Sequence, residues 1–248
     1  MTAGTGPAGA AALRALHHGR QPDDPLVLPT VWDAAAARVF ADAGFPALAT
    51  PSAGIAASLG YADGETPADE MFAAIARIVR AVDVPVTADV EAGFGLSAKE
   101  LVDRLAEAGA VGCNLEDSDH ASGALRDPRR QAEWLAEVRA VAGDALVVNA
   151  RVDTFLRGDT GTAAAVERAR LYTEAGADCI YPILAPPALL PELSAAIALP
   201  LNAMARSDGP SPRELGALGA ARITFGGGLQ RQATATLALV AKRLRDGN

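Results

Sequence analysis

Short apolar runs recur along this chain at intervals of roughly thirty residues, each followed by an Ala- and Arg-rich helical segment and then by glycine. The runs are Leu26 to Val31, Pro46 to Thr50, Val84 to Asp89, Val111 to Glu116, Ala145 to Arg151, Asp178 to Ile183, Pro200 to Met204 and Arg222 to Phe225, eight in all. Between them lie helical patterns over Asp33 to Ala43, Pro67 to Val82, Ala98 to Ala108, Pro128 to Ala142 and Thr160 to Ala175. Several connections read AGF, AGA or LGA, where glycine supplies the left-handed cap that ends a helix before the next strand. Strand and helix in strict alternation imply a parallel sheet, because a parallel return needs a crossover. Eight such units favour an α/β fold of the (β/α)₈ TIM-barrel kind over an open doubly wound sheet. The G-x-G-x-x-G turn that marks the open sheet is absent, and TVWDAAAA stands in its place.

The length of 248 residues suits one such barrel. With 50% hydrophobic residues and 4% aromatics, its core must be built from Ala, Val and Leu. No linker or low-complexity tract divides the chain, so residues 21–248 are expected to be a single domain and residues 1–20 a flexible leader. A formal net charge of −8 argues against nucleic acid as a partner. No apolar run approaches the ~20 residues of a membrane helix, and the leader lacks a sustained apolar segment, which leads to the expectation of a cytoplasmic protein without a membrane partner. Cys113 and Cys179 fall within strands and are read as small buried apolar residues rather than as a disulfide.

In a barrel, catalytic groups gather where the strands end. Here those ends are unusually polar. The third carries Asp89 and Glu91, the fourth Asn114, Glu116 and Asp117, and the fifth Asn149, Arg151 and Asp153. The second runs into the Ser/Gly loop PSAGIAASLGYADGE with Ser52, Gly54 and Asp63. Asp89 and Glu91, if extended, share one face and repel. Taken singly, Asp33, Ser97 and Asp117 are ordinary helix caps, and Arg151 with Asp153 is a local ion pair. Taken together, acids converging on one mouth require neutralisation, which a hard divalent cation supplies through oxygen ligands.

PSAGIAASLGYADGE, TADVEAGFG, GCNLEDS and VVNARVD, in that order, resemble the isocitrate lyase and phosphoenolpyruvate mutase superfamily over roughly residues 25–230. The resemblance implies a (β/α)₈ barrel whose last helix is exchanged between subunits of a homodimer or homotetramer. It implies Mg²⁺, with Mn²⁺ as a possible substitute, and a pyruvate-type enolate formed from a small anionic 2-oxo or 2-hydroxy acid. Carried over by residue, it makes Asp89 the principal metal ligand, with Asp63, Glu91 and Glu116 completing the shell directly or through water. Ser52 and the backbone N–H groups of Gly54 and Ile55 then hold the carboxylate and enolate oxygen, with Arg151 facing them and Asn149 beside it. Asp63 stands with Arg151 and His120 among the catalytic candidates.

One loop departs from the pattern. The lyases of the superfamily carry K-[KR]-C-G-H after the fourth strand, whereas this chain reads EDSDHASGALRDPRRQ, without Cys or Lys. His120 is the loop residue with a suitable ordinary pKa, and Arg126, Arg129 and Arg130 are candidates for a distal carboxylate on a mobile lid. Three classes follow: a Mg²⁺-dependent C–C lyase or decarboxylase, a P–C bond enzyme of the phosphonopyruvate hydrolase or mutase type, and a non-catalytic keto-acid binding protein. Ala233, Leu237, Val240, Ala241 and Leu244 form a stripe on the final helix that suits this barrel or a neighbour's.

Overall fold

The computed structural model describes residues 4–119 and 122–247. Its strands are β1 (Leu26–Val27), β2 (Leu48–Ala49), β3 (Val86–Asp89), β4 (Gly112–Leu115), β5 (Val147–Val152), β6 (Cys179–Pro182), β7 (Asn202–Met204) and β8 (Arg222–Thr224). All pair in parallel, as two sheets ordered β2-β3-β4-β5-β6 and β1-β8-β7. Single bridges from Thr30 to Ala49 and from Ile180 to Leu201 join the sheets on both sides, so the eight strands form a ring. The strands are shorter than the apolar runs because only the middle of each run takes part in the ladder. The remainder becomes the rim.

Around the ring stand α2 (Ala34–Asp42), α4 (Ala68–Val79), α5 (Ala98–Ala108), α6 (Pro128–Ala142), α7 (Ala163–Glu174), α8 (Leu190–Ala196) and α9 (Pro212–Ala217). Their starts are set by local chemistry. Asp33 accepts the Ala36 N–H at 2.7 Å, Ser97 and Glu100 form a capping box, and Asp127 accepts from Arg129 and Arg130. Asp33 and Ser97 are therefore the caps anticipated, while Asp117 caps nothing and is used elsewhere. At Gly109 the backbone is left-handed (φ 79°), and a Cβ there would sit 2.9 Å from Val79 Cγ1, so both conformation and packing require glycine.

Side chains facing outward from the strands, such as Ala88, Cys113, Val148 and Ile180, meet Ile75, Ile78, Leu101, Leu105, Leu135 and Tyr172 in the main core. Cys113 and Cys179 are both free and buried, and burial pushes each thiol up to about 12, which leaves them unreactive. No helix among the described residues is long and apolar enough to cross a membrane.

The segment read as a flexible leader contains a packed helix over most of its length. Gly6–Leu16 forms α1, a helix whose Ala10 and Leu13 are fully buried with Leu26, Leu28, Ala47, Ala49, Val111 and Val147, closing the N-terminal end of the barrel. Arg14 Nε reaches Asp178 at 2.7 Å, and Arg139 binds the same carboxylate from the other side. A further helix, α3 (Ser52–Leu59), occupies the start of the expected Ser/Gly loop. At the other end, α10 (Gly228–Arg245) has no buried residue, and Leu237, Leu239 and Leu244 are 67%, 64% and 73% exposed.

His17, just after α1, is buried with Nδ1 2.8 Å from the Leu13 carbonyl and Nε2 3.5 Å from Arg222 Nη1. A carbonyl only accepts, so the geometry assigns the proton to Nδ1 and leaves Nε2 to accept from Arg222. Burial first, and the Arg222 charge second, lower the imidazole pKa from 6.5 to about 4. Between those values the unfolded chain takes up a proton that the folded one refuses. Stability therefore falls as pH drops through 6.5 and levels off near 4, by roughly 3 kcal/mol. His17→Gln, whose amide donates without titrating, is expected to lose this slope. Urea denaturation at pH 7 and pH 4.5 should show the wild type losing about 2 kcal/mol more than the variant; equal losses would show that His17 titrates normally.

Candidate active site

Four adjacent strands deliver the polar groups to one rim. Asp89 ends β3, where its N–H donates to Thr50 Oγ1 at 3.2 Å and its carboxylate accepts from Ser52 Oγ at 3.3 Å and from the Glu91 N–H at 3.2 Å. Burial raises the Asp89 pKa to about 6; Arg151 opposes that rise, Glu116 adds to it, and the Glu91 and Ser52 hydrogen bonds oppose it. Glu91 lies beyond the strand with φ 52°, in a left-handed turn that includes Phe94 at φ 54°. The two acids therefore do not share a strand face: the chain turns at Glu91, and its backbone N–H meets Asp89.

Arg151 on β5 is clamped from two sides. Its Nε and Nη2 bind Asp153 at 2.6 and 2.9 Å, and Nη2 also pairs with Glu116. Burial opposes the charge on Arg151, but Asp153, Glu116 and Asp89 outweigh it and hold the guanidinium protonated well above its ordinary range. Among the described residues, Nη1 donates to none.

Of the other anticipated site residues, some are displaced from the mouth. Asn149 is fully buried and donates to Asn114 Oδ1 at 2.8 Å, which puts it in the layer of the barrel beneath Arg151. The Ile55 N–H is spent on the Pro51 carbonyl at 3.0 Å, as the first closed turn of α3 requires, so it is not a donor to a ligand. At Gly54 the space a Cβ would fill is bordered by Pro51 Cγ at 2.8 Å, Gln230 Cβ at 3.4 Å and Trp32 Cβ at 3.5 Å. The absent side chain makes room for protein packing there. Asp63 is exposed beyond α3, and among the described residues nothing joins it to Asp89, Glu91 or Glu116. His120 lies outside the described residues.

Nor do Arg126, Arg129 and Arg130 form a cationic fork. Arg126 lies 5.9 Å over the Trp134 ring, and the other two are exposed on the first turn of α6. The anticipated lid has a tethered base instead: Ser118 bridges Leu125, and the Arg126 N–H donates to the Asp117 carbonyl at 2.8 Å.

Among the described residues no three His, Cys, Asp or Glu side chains form a ready-made metal cluster. The four-acid shell of Asp63, Asp89, Glu91 and Glu116 is thus not assembled as direct ligands: Asp63 stands outside, and Glu116 is engaged by Arg151. What remains fits a smaller demand. Mg²⁺ keeps several waters and takes one or two carboxylates, and Asp89 is a desolvated carboxylate at the mouth with Glu91 and Glu116 nearby to receive water.

Several residues of this site have contacts that sequence reasoning did not assign. Asp117 is fully buried, accepting from Tyr172 Oη at 2.7 Å, Arg168 Nη1 at 2.9 Å and the Asp153 N–H at 2.8 Å. Ser118 donates to Asp153 at 2.6 Å and accepts from Arg157 Nε at 3.1 Å. Tyr181, the register partner of Arg151, is buried and its phenol pushed up to about 12 by that burial. The available signal was the Arg168 and Tyr172 pair, four apart on a helix and hence on one face.

Comparison with known proteins places this geometry among relatives. The family model for phosphoenolpyruvate phosphomutase matches residues 13–245. An uncharacterized protein of Mycobacterium tuberculosis (strain ATCC 25618 / H37Rv) is 33% identical over 82% of this chain and 78% of its own length. The 2-methylisocitrate lyase of Escherichia coli K12 is 31% identical over 77% of this chain and 68% of its own. A crystal structure from Burkholderia cenocepacia J2315, provisionally described as a phosphonomutase, is 42% identical and superposes with TM-score 0.86, covering 94% of this chain and 97% of that one.

The Asp89 environment generates opposite expectations for two substitutions. Ser52→Ala removes a donor that favours the ionised form and should raise the Asp89 pKa above about 6. Glu116→Gln removes a like charge and releases Arg151, and should lower it. Carboxyl carbon-13 titration of Asp89 reads both; shifts in the same direction would contradict this account.

Proposed function

The chain belongs to the phosphoenolpyruvate phosphomutase family, and from that premise we propose that it is a Mg²⁺-dependent lyase or decarboxylase. The bond cleaved is a C–C bond next to a 2-oxo or 2-hydroxy carboxylate, through a pyruvate-type enolate. The observation that carries this reading is the pairing at one mouth of a desolvated carboxylate, Asp89, with a guanidinium, Arg151, whose Nη1 is left available by its two clamping acids.

Asp89 would hold the metal, with Glu91 and Glu116 reached through water. When bound, the cation supplies Lewis-acid stabilisation of the negative charge that develops on the enolate oxygen. Arg151 Nη1 binds the substrate carboxylate or that oxygen, and its orientation is fixed in advance by Asp153, so little ordering cost falls at the moment of reaction. Ser52 Oγ, already directed at Asp89, keeps the carboxylate ionised and oriented. The segment after β4 contains neither Cys nor Lys, which favours a cleavage whose leaving group needs no proton, such as loss of CO₂ from a β-keto acid. A second reading, a P–C bond enzyme, is supported by the likeness to the Burkholderia protein. Pyruvate release with Mg²⁺ from oxaloacetate, methylisocitrate, dimethylmalate and phosphonopyruvate separates the two, because phosphate accompanies it only in the last. Binding of these acids without turnover would instead indicate a keto-acid binding protein.

The assembly proposed with this activity is a homodimer or homotetramer in which α10 of one copy covers a neighbour. Its support is the helix that buries no residue on its own barrel. Light scattering at micromolar concentration is expected to give a multiple of the chain mass, and removal of residues 229–248 to give the monomer; a monomeric full-length chain would refute the assembly.

Asp89→Ala is expected to reduce kcat/KM by on the order of 10³ or more, the several kcal/mol a metal contributes to charge stabilisation. EDTA should do the same to the wild type. Activity that survives both treatments would remove the metal–enolate reading.

A further inference from the structure

Two side chains on the outer helix α7 are tied to the mouth of the barrel. Tyr172 Oη donates to Asp117 Oδ2 at 2.7 Å, and Arg168 Nη1 donates to the same oxygen at 2.9 Å and to Tyr172 Oη at 3.1 Å. The second oxygen of Asp117 accepts the backbone N–H of Asp153 at 2.8 Å. Asp153 in turn holds Arg151 at 2.6 and 2.9 Å and accepts the Ser118 hydroxyl at 2.6 Å. Neither aspartate side chain has any exposed surface.

We propose that Tyr172 and Arg168 are positioning residues for Arg151, acting through Asp117 and Asp153. The inference rests on Arg151 being the substrate-binding cation of the proposed activity. Three features support it. First, a buried ion pair is a poor source of stability, since apolar side chains of similar volume serve as well or better. The neighbouring inward positions of α7, Ala165 and Ala169, are apolar. A carboxylate, a guanidinium and a phenol at this depth therefore contribute direction rather than burial. Second, each link is a charge-assisted hydrogen bond of good length, so orientation passes along the chain with little slack. Third, the same groups fix the segment after β4. Arg168 Nη2 donates to the Arg126 carbonyl at 2.9 Å, the Arg126 N–H donates to the Asp117 carbonyl at 2.8 Å, and Ser118 at the other neck is held by Asp153. The position of Arg151 and both necks of that segment are thus tied into one network centred on Asp117 and Asp153.

The test reads Arg151 directly. In the free protein the Arg151 Nε–H, bonded to Asp153, should give a protected nitrogen-15 resonance, identified by its loss in Arg151→Lys. Tyr172→Phe and Asp117→Asn are expected to shift or broaden that resonance. They should also weaken the binding of oxalate, a planar mimic of the pyruvate enolate, in the presence of Mg²⁺ by about tenfold, the loss of one well-directed charged contact. Ala169→Gly, which loosens the same helix without touching the relay, should lower Tm and change neither readout. An unchanged Arg151 resonance in Tyr172→Phe overturns the proposal, as does an equal change in Ala169→Gly. Oxalate binding that is indifferent to Arg151→Lys would defeat the functional reading instead, and the resonance still decides the relay.

Discussion

A guanidinium held at the edge of a low-dielectric barrel is stable only if it is compensated on the spot, and the compensation of Arg151 organises the polar half of this molecule. Asp153 supplies a two-point bond and Glu116 a second charge, which spends Nε and Nη2 and, among the described residues, leaves Nη1. Each of those acids then needs its own support. Asp153 takes the Ser118 hydroxyl, Asp117 takes the Asp153 amide, and Arg168 with Tyr172 takes Asp117. Three elements and one loop are drawn together by the demand of a single cation, and apolar packing alone would not specify that register.

Beneath the mouth the barrel interior is itself polar, and the same logic applies in reverse. Arg222 on β8 is fully buried, and among the described residues it meets no carboxylate within ion-pair distance. Its bonds go to Asn114 Oδ1 at 3.2 Å and toward His17 Nε2 at 3.5 Å, both neutral acceptors. Burial first, and the Arg222 charge second, make a protonated His17 costly, so the imidazole just after α1 is held neutral. Asn114, shared by Arg222 and Asn149, stands in register with Asp89. The floor of the barrel and its rim are thereby connected through one amide.

The fold was legible because its signal is periodic. Eight apolar runs separated by capped helices leave few topologies, and the bounds of α5 and α6 fall where the pattern ends, since Ser97 and the Asp127–Pro128 pair define their starts chemically. The helix α1 was missed because Ala and Gly dominate Gly6–Leu16, and its burial depends on the barrel floor rather than on its own stripe. At the site, strand position told which rim gathers the polar groups, and the structure brings Asp89 and Arg151 together there. Strand position did not foresee the left-handed turn at Glu91, nor that the Asn149 amide N–H bonds Asn114 and the Ile55 N–H bonds Pro51. Residue type and order are visible in sequence, whereas hydrogen-bond occupancy is a property of three-dimensional neighbours. For the same reason Asp117 reads as a cap until Arg168 and Tyr172, 51 and 55 residues away, are seen to bind it.

The rim is divided, and the division bears on the chemistry. Groups that carry or stabilise charge stand at the ends of β2 to β5: Ser52, Asp89, Glu116, Arg151 and Asp153. The ends of β6 and β7 present Pro182 and Met204 instead, beside a cavity of about 490 Å³ between those loops and α8 and α9. Its charged lining residues, Arg206 and Asp208, pair with each other and cancel. Bond breaking next to a carboxylate requires developing charge to lie within reach of fixed opposite charge. Under the proposed activity the reacting carbons would sit over the β2 to β5 half. The β6 to β7 half offers volume without directed charge, so under that activity it would shape what surrounds the reaction rather than carry its charge.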